Sequence, residues 1–567
     1  MGDTIGITGL GIICAIGNNT GEVLGSLLAK RSGIGPMKYL PSLHTEIPVG
    51  EIKLSTEEMK AMLGVDEPLA SRTALMGAIA VREALSNAGI RDISGKRVAL
   101  VSGTTVGVMD VTEEQFEKLG GADPGIPHGN ECGKSTLDTA RYAGIGGVPC
   151  CTISTACSSA LNTIMVGADM LLRDEADIVI AGGTEGLSKF HLNGFNTLMI
   201  LDRERCRPFD DTRAGLNLGE GAAYVVLEKN VSGALAYVNG YSNHCDAFHQ
   251  TATSPDGDGA FLAMTGALRQ AGLRPEDIQY INAHGTGTPD NDASEGNAFH
   301  RVFGDRLPEM SSTKSYTGHT TSASGSIEAV ICVLAMRHGF TPASLGWSHP
   351  IPGGVIPTPG HTGVHLENVM CNAFGFGGND SSMIFGQHPH PLESGNSFGV
   401  REAARTRVDT DEALSGLLEF YTPMEARRMC KLMKASLLSA FRAMREAGIP
   451  CPGAIISATP KGMLETSNLF LADIVANKEQ LLKPTLFMMC THNTISSAIA
   501  IRTKCHGYNC TYSQGEDSTF WAMRDARRLI ASGEASSVLV CSFDENCRED
   551  GRTADFYAES VILIRDE

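Results

Sequence analysis

Short apolar runs alternate with stretches of helical spacing along this chain. Arg97–Gly103 (RVALVSG), Ala176–Glu185 (ADIVIAGGTE) and Gly221–Lys229 (GAAYVVLEK) are near-continuous apolar segments and predict buried strands. Ala70–Ile90 carries apolar residues at helical spacing and stops at Gly89, which predicts a helix. Arg427–Met444 places Met429, Leu432, Met433, Leu437, Ala440, Phe441 and Met444 on one face and Arg and Lys on the other. This predicts an amphipathic helix with one solvated side. Strands and helices in alternation imply α/β layers around buried sheet.

The pattern breaks at Gly386–Gly399 (GQHPHPLESGNSFG), where Pro, Gly, Ser and His cluster, and we expect a linker over residues 389–410. Beyond it the pattern of the first part returns. NCTYSQGEDSTFWAMRDARRLIASGEASSVLVCSFDE follows CCTISTACSSALNTIMVGADMLLRDEADIVIAGGTE at a constant offset, since Cys510 aligns with Cys151 and 510 − 151 = 359. MREAGI, ending at Ile449, aligns with LSNAGI, ending at Ile90, at the same offset. ISATPKG meets VSGTTVG only with a gap. Position 157 maps onto Glu516, so the second copy has no cysteine there. The 567 residues exceed one core, and roughly two to four domains are expected.

A net charge of −18 argues against nucleic acid as the main partner, and an acidic partner would need a local basic patch. The 16 cysteines show no repeated spacing and no CxxC. The start, MGDTIGITGLGII, lacks the charged region and cleavage site of a signal peptide, and no apolar run is long enough to span a membrane. A cytoplasmic protein with reduced thiols is expected. Most of these cysteines then read as small buried hydrophobes.

Cys157 stands apart from them. It lies just before SSALNTIMVGADMLL, whose helical spacing puts the thiol at a helix start. The partial positive charge there favours thiolate, and the free N–H groups can hold an oxyanion. INAHGTGTPDND places His284 between a strand and a Gly-Thr turn, and SSTKSYTGHTTSASGSIEAV places Lys314 and His319 ahead of a helix-like run. One histidine alone is more often structural; two in Gly/Thr-rich turns beside a cysteine at a helix start point to nucleophilic chemistry. GITGLG (Gly6–Gly11) lacks the full order of a dinucleotide loop, and His244, Cys245 and His249 in NHCDAFH have no second ligand pair at metal-like spacing.

With these stretches the chain resembles the β-ketoacyl synthase family, especially the elongating type II condensing enzymes. The motifs are TISTACSSAL, CRPFDDTRAGLNLGEGAAYVVLE, NAHGTGTPDND, STKSYTGHTTSASGSIEA and NAFGFGGND, in order across about residues 3–386. The resemblance implies a thiolase-like fold of two similar layered α/β halves, at residues 1–240 and 241–388. Residues 411–567 resemble a further, degenerate N-terminal half. It implies that Cys157 takes an acyl chain as a thioester from acyl carrier protein. His284 and His319 would then assist decarboxylation of malonyl carrier protein, with Lys314 and Glu328 supporting them. Phe376 would gate the site and complete the oxyanion hole. No metal or organic cofactor is implied, and a homodimer or a pairing with a ketosynthase-like subunit is. The ending GFGGND departs from the family's GFGGTN at Asn379 and Asp380. Competing readings are an acyl transferase or thioester hydrolase of the same superfamily, a non-catalytic chain-length-type partner, and a thiolase. The paired histidines argue against the first. Cys157 argues against the second for residues 1–386, and no second catalytic cysteine supports the third. For residues 411–567, with Glu516 in place of the cysteine, the non-catalytic partner is the better reading.

Overall fold

The computed structural model describes residues 2–119, 131–392 and 397–566. Fifteen strands among them join in one sheet, which divides into three units of one pattern: three parallel strands, then two antiparallel. In the first unit Cys150–Ile153, Val98–Gly103 and Ile178–Glu185 run parallel, and Gly221–Lys229 and Ile5–Cys14 continue antiparallel. In the second, Glu309–Ser311, Tyr280–Asn282 and Asn368–Gly375 are followed by Asn379–Gly386 and Ala236–Cys245. In the third, Asn509–Tyr512, Ala454–Ala458 and Ser537–Cys547 are followed by Thr553–Arg565 and Val400–Val408. Two layered α/β halves and an additional half of the same type are what the sequence implied.

The expected linker over 389–410 is shorter than its composition suggested. Residues 393–396 lie outside the described residues, and Val400–Val408 is already the first strand of the third unit, paired with Thr553–Arg565. The boundary expected at 411 therefore falls too late in the chain. The amphipathic helix starts later than expected, at Lys431 behind a short turn of helix Pro423–Ala426, and runs to Ala447. Gly448, at φ +69°, ends it in the left-handed conformation that costs glycine little. Its apolar face, with Leu432, Leu437, Leu438 and Met444 buried, packs on the third unit's sheet.

The offset of 359 holds in three dimensions. The 3-10 turn Ala156–Ser158 and helix Ser159–Leu172 correspond to the turn Gly515–Asp517 and helix Ser518–Ala531. The first and third units meet where their parallel strands end. Tyr512 faces Ile153, its own equivalent, in an antiparallel bridge. Ser513 N–H donates to Thr152 O at 2.9 Å, and Ser154 N–H donates to Thr511 O at 2.9 Å. Residues that bond to the equivalents of each other lie about a local two-fold axis, as across an isologous dimer. Behind this seam Arg528 reaches Asp169 at 3.2 Å and Arg524 Nε reaches Glu175 at 2.6 Å. Among the described residues no helix is long and apolar enough to cross a membrane.

Candidate active site

Cys157 sits in the 3-10 turn between strand Cys150–Ile153 and the buried helix Ser159–Leu172. Ala156, just before it, takes φ +55°, a left-handed conformation that costs a non-glycine residue about 1 kcal/mol or more. The strain is held in place by side-chain bonds: Ser159 Oγ accepts from Thr155 N–H at 2.9 Å and donates to Ala156 O at 2.6 Å. The turn thus aims the thiol away from the helix axis into a cavity.

His319 Nε2 lies 3.1 Å from Cys157 Sγ, and its Nδ1 lies 2.9 Å from Ser324 Oγ. A hydroxyl can donate or accept, so Ser324 supports either tautomer of His319. His284 stands edge-on to His319, ring centroids 5.3 Å apart. Lys314 and Glu328, both buried, lie behind the histidines. Lys314 Nζ donates to His284 O at 2.6 Å and to Glu328 Oε1 at 2.5 Å, and lies 3.3 Å from His284 Nδ1. An ammonium is donor-only, so His284 Nδ1 accepts and the ring carries its hydrogen on Nε2. Glu295 fixes the backbone of the same turn, accepting from His284 N–H and Gly285 N–H at 2.8 Å each.

Burial, then the charge of Lys314, then the other histidine push His284 well below the usual imidazole range. Burial, Lys314 and His191 do the same to His319. Both rings are neutral at neutral pH. Burial also pushes the Cys157 thiol up to about 12, with Lys314 and the N–H groups of Phe376 and Cys157 itself pulling the other way. The expectation of a thiolate held by the helix start is not met in this closed site. Desolvation outweighs the helix terminus, and the resting pair is a thiol beside a neutral imidazole.

Phe376 brings its N–H to the sulfur and stacks its ring on Phe195, centroids 5.7 Å apart and 17° between planes. On the outer side a cavity of about 160 Å³ opens past Cys157, His284 and His319 toward Thr286, Thr288 and Asn291. On the inner side a narrower, mainly apolar cavity is lined by Phe190, Phe195 and Phe376, and by Phe487, Cys490 and Thr491 of the third unit. The sequence motifs gave no sign of these last three, since they lie in the degenerate copy; the aromatic content of FHLNGF at Phe190–Phe195 was the only available hint.

The six residues singled out in the sequence converge here. Among the described residues, the one cluster of three donors spaced for a metal ion is this same trio, Cys157, His284 and His319. His244 and Cys245 are tied elsewhere, His244 Nδ1 to His506 O at 2.8 Å and Cys245 Sγ to Gly377 O at 3.7 Å. Asn379 Oδ1 accepts from Ser158 Oγ at 2.7 Å and from Asn162 and Asn243, while its Nδ2 donates to Asn509 O at 2.6 Å. The departure from the family ending thus ties the nucleophile turn to the third unit. Glu516, the counterpart of Cys157, is exposed and far in sequence from any histidine motif.

Known proteins are similar to this chain over most of its length. Sequence profiles of the beta-ketoacyl synthase N-terminal domain match residues 3–232, and of the C-terminal domain residues 235–348. A second N-terminal-domain profile matches residues 401–553. 3-Oxoacyl-[acyl-carrier-protein] synthase 2 of Coxiella burnetii is 32% identical over 407 residues, covering 67% of this chain and 97% of that protein. The chain belongs to the beta-ketoacyl synthase family. Nodulation protein E of Rhizobium meliloti is 35% identical over 412 residues, covering 67% and 98%. Among solved structures, the ishigamide ketosynthase/chain length factor superimposes with a TM-score of 0.63 at 29% identity, over 68% of this chain and 100% of that one. The PfaC keto synthase-chain length factor covers all of this chain and 78% of its own, with a TM-score of 0.79 at 15% identity, a likeness of fold. The family part thus spans nearly the full length of these relatives, and the third unit matches a second N-terminal domain behind it.

Proposed function

We propose that this beta-ketoacyl synthase forms carbon–carbon bonds at Cys157, joining an acyl thioester to malonyl-acyl carrier protein with loss of carbon dioxide. The observation that carries the reading is the thiol 3.1 Å from His319 Nε2 with His284 facing the same cavity. In the first half, sulfur attacks the acyl thioester as its proton passes to His319 Nε2, and that proton leaves on the carrier thiol. The N–H groups of Cys157 and Phe376 receive the oxyanion. In the second half, malonyl carrier protein loses carbon dioxide. The enolate oxygen is held by the Nε2 hydrogen of neutral His284, a tautomer fixed by Lys314, and by that of neutral His319 once its hydrogen has exchanged from Nδ1 to Nε2, with Ser324 Oγ then donating to Nδ1. The enolate carbon attacks the acyl carbonyl, the Cys157–acyl bond breaks with the sulfur leaving as thiolate, and one proton taken up from solvent restores the thiol.

The third unit is read as a silent partner. It lacks the nucleophile and both histidine motifs, it pairs with the synthase about a local two-fold, and Phe487 closes the inner cavity. The similar solved structures of a ketosynthase with its chain length factor support this role. In place of a homodimer through the α/β core, one chain supplies both sides of the seam.

The test is a reaction with acyl- and malonyl-carrier protein, following the 3-oxoacyl product and released carbon dioxide. Cys157→Ala gives no product. His284→Ala still acylates Cys157, whereas His319→Ala, which loses the base for the thiol proton, acylates it only slowly; both release carbon dioxide at least about a hundredfold more slowly, the range for a lost positioned donor. Release at the wild-type rate in either histidine variant contradicts the assignment.

A further inference from the structure

The turn that bears the gate is held from outside the synthase. The peptide joining Phe376 to Gly377 is clamped at both polar ends. Its N–H, on Gly377, donates to Gln250 O at 2.7 Å, and its C=O, on Phe376, accepts from Asn493 Nδ2 at 2.8 Å. Gln250 belongs to the synthase and Asn493 to the third unit. Asn493 directly precedes helix Thr494–Thr503 yet makes no side-chain capping bond to it. The residue is 1% exposed, and its Oδ1 has no hydrogen-bond partner among the described residues. A buried amide that leaves its acceptor unused is costly, so the bond to Phe376 is the one the site is built around. The fit is close on this side. Gly377 takes φ +85°, and a Cβ there would come within 2.1 Å of Ser497 Oγ and 2.9 Å of Asn493 Nδ2. Nothing larger than glycine leaves room for the third unit to reach the gate.

We propose that Asn493 is a positioning residue for the condensing reaction: it holds the Phe376 peptide so that the Phe376 N–H faces the position of the acyl oxyanion. The preceding peptide carries that N–H, so rotation of the 376–377 peptide turns it away from Cys157 and loosens the Phe195–Phe376 stack. Acyl transfer, which builds charge on this oxygen, depends on Asn493. Malonyl decarboxylation, which builds charge toward His284 and His319, does not. The inference rests on the reading of Cys157 as the acylated residue, and makes the fused copy a contributor to catalysis as well as a wall of the cavity.

The experiment uses the full chain and reads the rate of acyl loading at Cys157 by intact mass, the rate of carbon dioxide release from malonyl carrier protein, and the melting temperature. Asn493→Ser removes the bond with a small side chain. Loading is expected to slow about tenfold or more, since a displaced oxyanion donor costs that much, with decarboxylation within twofold of wild type. Asn493→Asp is the second variant. Its carboxylic acid can donate to Phe376 O and its carboxylate cannot, so loading, taken as a ratio to wild type at each pH, is near one at low pH and falls about tenfold as pH rises. The ratio sets aside the groups that both proteins share near Asn493, such as Cys132 and His492, which lie 3.5 Å apart across the seam. Loading on Cys157 within twofold of wild type in Asn493→Ser overturns the proposal. So does a flat ratio in Asn493→Asp, or an equal fall of loading and decarboxylation. Wild-type loading on a residue other than Cys157 overturns the synthase reading as well.

Discussion

At the scale of single residues, the meeting of Cys157, His284 and His319 was legible from their settings in the sequence, and the place of Lys314, Glu328 and Phe376 beside them only through the family resemblance. What the sequence could not convey is the environment that sets their charge. The helix start argues for a thiolate, and full burial reverses it. The contrast between the two copies shows the strain of the turn: Ala156 at φ +55° is matched by Gly515 at φ +55° in the copy that carries no nucleophile. The copy uses the residue that takes this conformation freely, and the active turn does not. The histidines give a pH prediction. Both are held below the ordinary imidazole range in the folded protein, so the unfolded chain binds protons first as pH falls through about 6.5. Their contribution to stability is whole above that pH and declines below it. Denaturant unfolding at pH 7.5 and 5.5 should show His284→Gln losing about 1 kcal/mol less than wild type over this interval. Equal losses contradict neutral burial of His284. Carbon dioxide release should likewise stay level from pH 8 to pH 6.

At the scale of elements, the strands of the first unit were readable because they are apolar on both faces, and Val400–Val408 was not, for a physical reason. Its counterpart Ile5–Cys14 lies between two strands in the sheet and carries no charged residue. Val400–Val408 is an edge strand among the described residues, paired only with Thr553–Arg565. There it carries Arg401, Glu402, Arg405 and Arg407. Charge on an edge strand discourages pairing with another chain, and it also hides the strand from a reading based on apolar runs. The helices tell the same story: Ser159–Leu172 is buried along its whole length, whereas Ser518–Ala531 exposes Thr519, Phe520 and Arg527. The short helix Pro484–Met488 carries the element-scale prediction. Phe487 packs against Phe190, Phe195 and Phe470, with centroids 5.5 to 5.9 Å away, and ends the inner cavity. Phe487→Ala opens that end, and loading should extend to acyl chains several carbons longer, at a stability cost of about 3 kcal/mol. An unchanged chain-length profile in the mass of the acyl-enzyme contradicts a wall at this position.

At the scale of the whole molecule, the repeat was visible as a constant offset of 359, but the two-fold seam was not. The seam depends on Tyr512 meeting Ile153 and on Arg528, Asp169 and Tyr241 closing a buried polar cluster behind it, and sequence spacing carries no information on such contacts. Removing one copy leaves Asp169, buried against Arg528, without its partner, and uncovers the apolar face around Phe190 and Phe195. A chain ending at Leu392 should therefore melt several degrees lower, or associate through the uncovered strand Cys150–Ile153, as seen by light scattering. A truncated chain that stays monomeric, as stable and as selective as the whole one, contradicts the account of a built-in partner. The central claim is that each chain has one working nucleophile, with the fused copy silent. Its most direct test is the intact mass and site mapping of the full chain after incubation with acyl carrier protein. The account predicts one acyl group per chain, on Cys157, with no adduct in Cys157→Ala and the same single adduct in Glu516→Gln. A second acyl group on the chain, or an adduct that survives Cys157→Ala, would contradict it.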